Sequence, residues 1–323
     1  MDYVRLGKTG LRVSRIALGC MSYGDPTSTS AHLWSLDDED AQPFFRQAVE
    51  LGVTFWDTAN VYQHGTSEEL VGRAIKRYSR REEIVLATKV HGKMHDGPGG
   101  QGLSRKAVLE QVDASLARLG TDYIDLYQIH RFDPDAPVEE TMEALHDIVK
   151  AGKVRYLGAS SMYAWQFAKL QHAADRHGWT PFVAMQDQYN LLRRHDEREL
   201  LPMCADMGVG AVPYSPQGTG RLARPWGAQS QRSSVDAVVK AFDSPLDEPV
   251  VNAVQRIAEA RGASMAQVAL AWVLKNPVVS APIVGATKPH HLPDSIAALD
   301  LHLTDDEIRA LEEPYTPHGP SWF

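Results

Sequence analysis

From about residue 15 onward, short apolar runs alternate with longer segments of helical period, and the alternation occurs eight times. The runs are Ile16 to Gly19, Thr54 to Asp57, Ile84 to Lys89, Ile124 to His130, Val154 to Ser160, Phe182 to Gln186, Gly210 to Tyr214 and Ala281 to Gly285. Between them lie helix candidates such as Ser67 to Tyr78, Ser104 to Leu119, Val138 to Ala151 and Met162 to His177, several of them opened by a serine suited to an N-cap. Strand followed by helix, repeated, is the sequence form of βα units, and those units require a parallel sheet. Eight of them close most naturally into a (β/α)8 TIM barrel, and 323 residues fit one such domain spanning 1–323. An open doubly wound sheet is the main rival.

Tyr3 to Leu6 and Leu11 to Arg15 flank Gly7-Lys8-Thr9-Gly10, the pattern of an N-terminal β-hairpin placed to plug the barrel bottom. After the last run, His290 to Leu299 and the capping box Thr304-Asp305-Asp306-Glu307 predict extra C-terminal helices, with a tail ending in Tyr315, His318, Trp322 and Phe323. The tail either folds over the barrel mouth or frays at the surface. Two longer segments, His91 to Leu103 and Ser215 to Pro249, break the rhythm and predict functional loops on one face.

A formal net charge of −8 argues against nucleic-acid partners, although one phosphate-binding pocket can sit inside an acidic protein. Cys20 and Cys204 are far apart and lack zinc spacing, so no disulfide framework or metal is expected. Neither a leader-like apolar segment nor a membrane-length apolar run occurs, and the expectation is a cytoplasmic, soluble protein with no membrane partner.

Three polar residues stand at the C-terminal ends of otherwise apolar runs: Asp57, Lys89 and His130. In a barrel those ends converge, and catalytic residues gather there. Taken singly, an Asp is often a helix cap and a His a packing residue, but three on consecutive runs point to a site. Tyr62, five positions beyond Asp57, adds a phenol. With an unperturbed pKa of about 10, it needs a cation or hydrogen-bond donor nearby to exchange a proton near neutrality. Lys89 and His130 supply both, and Asp57 supplies the anion that a buried ammonium requires.

With these residues in place the chain resembles the aldo-keto reductases. The resemblance is carried by Gly52-Val-Thr-Phe-Trp-Asp57-Thr-Ala-Asn-Val-Tyr62, Ala87-Thr-Lys89, Asp122-Tyr-Ile-Asp-Leu-Tyr-Gln-Ile-His130, Gly152-Lys-Val-Arg-Tyr-Leu-Gly-Ala-Ser160-Ser161, Gln186-Asp-Gln-Tyr-Asn, Pro213-Tyr214-Ser215-Pro216 and Pro282-Ile-Val-Gly285-Ala-Thr-Lys288. It implies NADPH-dependent reduction of small carbonyl compounds to alcohols, with Tyr62 as general acid, Lys89 and Asp57 tuning it, and His130 hydrogen-bonding the carbonyl. It also implies that Ser160, Ser161 and Gln186 hold the nicotinamide carboxamide while Tyr214 stacks on the ring. The loop Ser215, Pro216, Gln217, Gly218, Gly220 and Arg221 would take the pyrophosphate, with Gly285 at the last strand end. Thr287, Lys288 and His291 would meet the adenosine 2′-phosphate, and Asp294 and Ser295 the adenine, which favours NADP(H) over NAD(H).

Ser161 replaces the family's frequent Asn, while His291 and Ser295 replace Gln or Arg and Asn, so Lys288 becomes the decisive charge. Gln128 to Asp133, Gly158 to Trp165 and Tyr315-Thr-Pro-His318 look closest to a bacterial subgroup related to aryl-alcohol dehydrogenases. Potassium-channel β subunits resemble the same family, which leaves a cofactor-binding regulatory or redox-sensing subunit as the alternative. Gly97-Pro-Gly99-Gly-Gln-Gly102 matches GxGxxG, but no strand leads directly into it, and it is expected to be an ordinary loop. A metal-dependent hydrolase is disfavoured because the first run lacks a His-x-His pair.

Overall fold

A computed structural model describes residues 1–28, 33–229, 236, 244–317 and 319. An antiparallel hairpin, β1 (Tyr3–Arg5) and β2 (Arg12–Ser14), precedes eight strands: β3 (Ala17–Gly19), β4 (Phe55–Asp57), β5 (Val85–Val90), β6 (Ile124–Ile129), β7 (Val154–Ser160), β8 (Phe182–Gln186), β9 (Gly210–Ala211) and β10 (Ile283–Gly285). Their order is β10-β3-β4-β5-β6-β7-β8-β9, and each neighbouring pair is parallel. Backbone bonds from Ala211 N to Val278 O (2.9 Å), Ser280 N to Ala211 O (2.8 Å) and Ile283 N to Pro213 O (2.8 Å) join β9 to the approach of β10 and close the barrel. The last two strands are shorter than the expected Gly210 to Tyr214 and Ala281 to Gly285. Pro213 and Pro282 have no N–H to give to a ladder.

Helices cover the outside: α1 (Asp38–Glu50), α2 (Thr66–Tyr78), α3 (Arg105–Leu119), α4 (Val138–Lys150), α5 (Ala164–His177), α6 (Leu200–Met207), α7 (Glu248–Arg261), α8 (Met265–Leu274), α9 (His291–Ala297) and α10 (Asp305–Glu312). The expected serine cap holds at α3, where Ser104 Oγ accepts from Ala107 N. It fails at α2. That helix begins at Thr66, and Ser67, one residue inside it, donates from its buried hydroxyl to Cys20 O at 2.9 Å. Helix α5 starts two residues later than Met162, with Gln166 Oε1 accepting from Tyr163 N. The capping box at Thr304 forms as expected, Thr304 Oγ1 accepting from Glu307 N and Glu307 Oε2 from Thr304 N. Beyond α10, the Tyr315 hydroxyl accepts from Arg194 N, and the Arg194 guanidinium lies 5.2 Å over its ring. His318, Trp322 and Phe323 fall outside the described residues.

Strand side chains alternate between the two faces of the barrel wall. One set, including Trp56, Leu86, Tyr127, Leu157 and Met185, packs outward against helix residues such as Phe45, Val71, Val108, Leu145 and Phe167. The inward set, Ala17, Phe55, Ala87, Leu126, Ala184, Val212, Ala281 and Ile283, forms an inner cluster with Leu6 and Val13 of the hairpin, which seals the bottom as expected. Two residues further along β4, β5, β6 and β8, the same inward parity delivers Asp57, Lys89, Gln128 and Gln186. A polar layer therefore sits directly on an apolar one.

Ser14 fastens the plug to the barrel, its fully buried hydroxyl donating to Ile16 O at 2.7 Å and accepting from Thr54 N and Phe55 N at 3.1 Å each. Ser14→Ala removes that shared acceptor and should destabilise the fold by about 1–3 kcal/mol. Urea denaturation checks this, and an unchanged midpoint would contradict the fastening role.

Candidate active site

Lys89 Nζ is the centre of the polar layer. Fully buried, it lies 2.5 Å from Asp57 Oδ2, 2.8 Å from Thr58 O and 3.2 Å from the Tyr62 hydroxyl. The second oxygen of Asp57 accepts from Gln128 Nε2 and Gln186 Nε2 at 2.9 Å each, and Gln186 Nε2 also reaches Gln128 Oε1 at 3.1 Å. Every lone-pair direction in use on the carboxylate is thus met by a donor, as burial of a charge demands. Gln128 fits because Gly158 faces it across the β6–β7 pair; a Cβ there would stand 2.9 Å from Gln128 Cγ.

Gln128 lay inside a quoted motif but was not singled out from the sequence. Its signal was parity: it follows Leu126 by two residues on the inward face and precedes His130 by two. His130 sits one residue past β6, its N–H still on the ladder through Val90 O at 2.8 Å. Its ring meets the Tyr62 ring edge-on, 5.8 Å between centroids. Tyr62 opens a tight turn, Tyr62–Gly65, where Gln63 (φ 43°) and His64 (φ 54°) take left-handed conformations unusual for residues with a Cβ.

Burial shapes the ionisation of all three groups. It raises the Tyr62 phenol above its ordinary range, although the Lys89 charge and hydrogen bond pull it back. Burial also opposes the Lys89 ammonium, but the Asp57 charge, Tyr62 and the hydrogen bonds to both outweigh it, and the amine ends above its usual range. For His130, burial and then the Lys89, Arg131 and His91 charges all act in one direction and hold the imidazole neutral. The arrangement offers one neutral donor ring, one phenol and one permanent cation behind it.

The residues expected at the nicotinamide end lie on adjoining strand ends. Ser160 is in register with Gln186, Ser161 N donates to Gln186 O at 3.1 Å, and the two serine hydroxyls are 3.2 Å apart. Ser161 is itself left-handed (φ 52°); burial raises the nearby Tyr214 phenol, and Ser161 pulls it partly back. The Gln186 amide is directed at Asp57 and Gln128, so it couples the polar layer to the serines rather than standing apart from it.

Ser215 (φ 50°), Gly218 (φ 57°), Thr219 (φ 55°) and Gly220 (φ 85°) make a loop closed by bonds from Gly218 N to Ser215 O and Gly220 N to Gln217 O, with Pro216 buried at its base. A Cβ at Gly218 would meet Leu192 Cδ1 at 3.0 Å. Gly218, Thr219 and Arg221 share a pocket with Gln188, Asn190, Arg193 and Asp247, where the buried Gln188 Oε1 has no hydrogen-bond partner among the described residues. Asn190 Nδ2 donates to Ser215 O at 2.9 Å, and Arg193 Nη1 lies 3.3 Å from Asp247 Oδ1. The glycine cradle, which a Cβ at Gly218 would crowd, and the two guanidinium groups fit a dinucleotide diphosphate, whereas the Gln188 amide oxygen, an acceptor, does not bond to one. Gln188, Asn190, Arg193 and Asp247 were not singled out from sequence, because nothing local in the chain joins 188–193 to 218–221 and 247.

The third group gathers around α9. Thr287 N donates to His291 Nδ1 (3.2 Å) and Ser295 Oγ to His291 O (2.7 Å), while Gly285, Lys288 and Asp294 lie nearby in the chain, Gly285 and Lys288 exposed. Burial, His290 and Lys288 push the His291 imidazole down to about 4, so it is uncharged near neutrality and Lys288 carries the positive charge. The GxGxxG segment is a closed loop instead: Gly102 N returns to His91 O at 2.9 Å, and β5 ends before it at Val90. Among the described residues no group of three or more His, Cys, Asp or Glu is placed to hold a metal, and no helix is long and apolar enough to cross a membrane.

A parallel eight-stranded barrel with a lysine, aspartate, tyrosine and histidine at its C-terminal mouth defines an oxidoreductase of the aldo-keto type. The aldo/keto reductase family model matches residues 15–315, and this chain belongs to that family. It is 44% identical to the versiconal hemiacetal acetate reductase of Aspergillus parasiticus, with 98% of each chain covered. It is 41% identical to the aldo-keto reductase AMT2 of Alternaria alternata over 98% of this chain and 92% of that one. A Saccharomyces cerevisiae protein provisionally named an aryl-alcohol dehydrogenase is 39% identical, with 97% of each chain covered. The kinship with aryl-alcohol dehydrogenases expected from sequence holds, although these relatives are fungal rather than bacterial.

Removing one partner of the central ion pair should cost more than removing both. Lys89→Met leaves a buried carboxylate uncompensated and should lose roughly 3–5 kcal/mol, whereas Asp57→Asn/Lys89→Met should recover most of it. Chemical denaturation of the two variants checks the ordering; equal losses would contradict it.

Proposed function

We propose that this protein reduces aldehydes or ketones to alcohols with NADPH, with Tyr62 as the general acid. The observation that carries this reading is the contact of Lys89 Nζ with both Asp57 (2.5 Å) and the Tyr62 hydroxyl (3.2 Å), beside the His130 ring. The fit of the Gly218 to Arg221 loop to a diphosphate and the reductase names of the fungal relatives support it.

When bound, NADPH supplies the hydride. Ser160, Ser161 and Gln186 would hold the carboxamide and Tyr214 the ring, the loop of Ser215, Pro216, Gln217, Gly218, Gly220 and Arg221 the diphosphate, and Gly285, Thr287, Lys288, His291, Asp294 and Ser295 the adenosine end. His130, kept neutral, donates a hydrogen bond to the substrate carbonyl oxygen and orients it without adding a competing charge. Tyr62 gives its proton to that oxygen as charge develops there. Lys89 then stabilises the phenolate, and Asp57 keeps the lysine charged and in place. Because burial holds the phenol above its ordinary range, the acid form prevails at neutral pH and the reduction rate falls only on the alkaline side.

Tyr62→Phe should lower kcat for carbonyl reduction by roughly a hundredfold to ten-thousandfold, the range a general acid contributes, while NADPH binding stays within about twofold. A panel of aldehydes, ketones and sugars under NADPH oxidation reads the rate, and unchanged turnover would overturn the mechanism. Lys288→Ala should weaken NADPH binding about tenfold, the loss of one charge-assisted bond, and leave NADH nearly unaffected. Fluorescence titration with both cofactors checks it; equal losses would remove Lys288 from the 2′-phosphate.

A further inference from the structure

On the far side of β5 from the active site lies a buried carboxylate that the catalytic set does not use. Glu68, in the first turn of α2, is fully buried, and its two oxygens are divided between two elements. Oε1 accepts from Thr88 Oγ1 at 2.5 Å, and Oε2 is 2.6 Å from Arg118 Nε on α3. Thr88 immediately precedes Lys89, so its side chain leaves the barrel wall on the opposite face. Arg118 also donates to Ser115 Oγ at 3.3 Å, and its stem runs beneath Gly65: a Cβ on that glycine would stand 2.7 Å from Arg118 Cδ.

Gly65 closes the turn that Tyr62 opens, and the turn carries three consecutive positive φ values at Gln63, His64 and Gly65 (43°, 54° and 96°). Such a conformation persists only where its surroundings over-determine it. One end is pinned by Gln63 Nε2 to Met21 O (2.8 Å) and by Thr66 Oγ1 to Gln63 O (2.9 Å). The other end rests on Arg118 and, through it, on Glu68.

We infer that Glu68, through Thr88 and Arg118, is a positioning residue that fixes the turn bearing Tyr62 against the strand bearing Lys89 and so sets the contact between them. This rests on the reading of Tyr62 as the general acid. The groups facing the Tyr62 phenol are Lys89, Asp57, the His130 ring and, more remotely, Cys20; of these only Lys89 lowers its pKa. Loosening the turn weakens that one stabilising contact and leaves burial unopposed, so the phenol titrates at still higher pH. Around Glu68 itself stand Arg118 and the buried Tyr127 phenol.

The test uses the full chain with NADPH and benzaldehyde as probe. In Glu68→Gln the amide oxygen keeps the Thr88 bond, but the ion pair to Arg118 is lost. kcat should fall on the order of tenfold to a hundredfold, the cost of misplacing a reacting group by about an ångström. NADPH affinity should stay within about twofold, and the alkaline limb of the pH–rate profile should move up by about half a pH unit or more, as expected for a phenol separated from its cation. Should Glu68→Gln not fold, Arg118→Lys changes the more exposed partner and should move the limb in the same direction by less. A wild-type limb in whichever variant folds, or a fall in kcat with the limb unmoved, would overturn the inference. Failure of the underlying reading registers separately, as turnover retained by Tyr62→Phe.

Discussion

The buried pair of Lys89 and Asp57 is the interaction on which the rest of the site depends. An ammonium with no exposed surface is tolerable only beside a carboxylate, and that carboxylate only with its other oxygen satisfied. Gln128 and Gln186 meet that need from two further strands, and Gly158 clears the space for one of them. Four strands are thereby locked at their C-terminal ends by one carboxylate. The same ammonium also meets Thr58 O and the Tyr62 hydroxyl, so the atoms that satisfy burial also place a cationic donor beside a phenol.

Around this fixed centre the backbone is held in unusual conformations. Among the described residues, positive φ outside glycine occurs at Gln63, His64, Ser161, Ser215 and Thr219, in the turn that Tyr62 opens, the serine pair and the loop of residues 215–221, and at His91, two residues past Lys89. Such conformations are retained where packing and hydrogen bonds hold them, and they concentrate where a side chain or N–H must be aimed. The three regions reach the barrel mouth from different strands. Tyr62 comes from beyond β4, Ser161 from β7 and Ser215 from beyond β9, and the backbone bonds Ser161 N to Gln186 O and Tyr214 N to Asp187 O hold the latter two against β8.

Much of this was legible in the chain. The eightfold alternation gave the barrel, the Gly7 to Gly10 turn gave the hairpin, and polar residues ending apolar runs pointed to Asp57, Lys89 and His130. Strand and helix limits were less legible. Pro213 and Pro282 shortened two strands, and Ser67, which has the look of a cap, spends its hydroxyl on Cys20 O because α2 begins one residue earlier. The resemblance to aldo-keto reductases named Gln186 for a cofactor role, whereas its amide also belongs to the carboxylate cluster around Asp57.

By itself, then, the sequence determined which residues face inward, because a period of two is written into each run and strand geometry enforces it. It also determined the order of elements and, through that, the barrel. Tertiary structure alone decided which inward residues meet. Gln128 and Gln186 stand 71 and 129 positions from Asp57 and share one of its carboxylate oxygens only because the barrel closes. Likewise Glu68 bears on Tyr62 through Thr88 and Arg118, contacts between elements whose distance in space no local pattern encodes. Hydrophobic periodicity is a property of neighbours along the chain, while charge pairing in a buried layer is a property of neighbours across it.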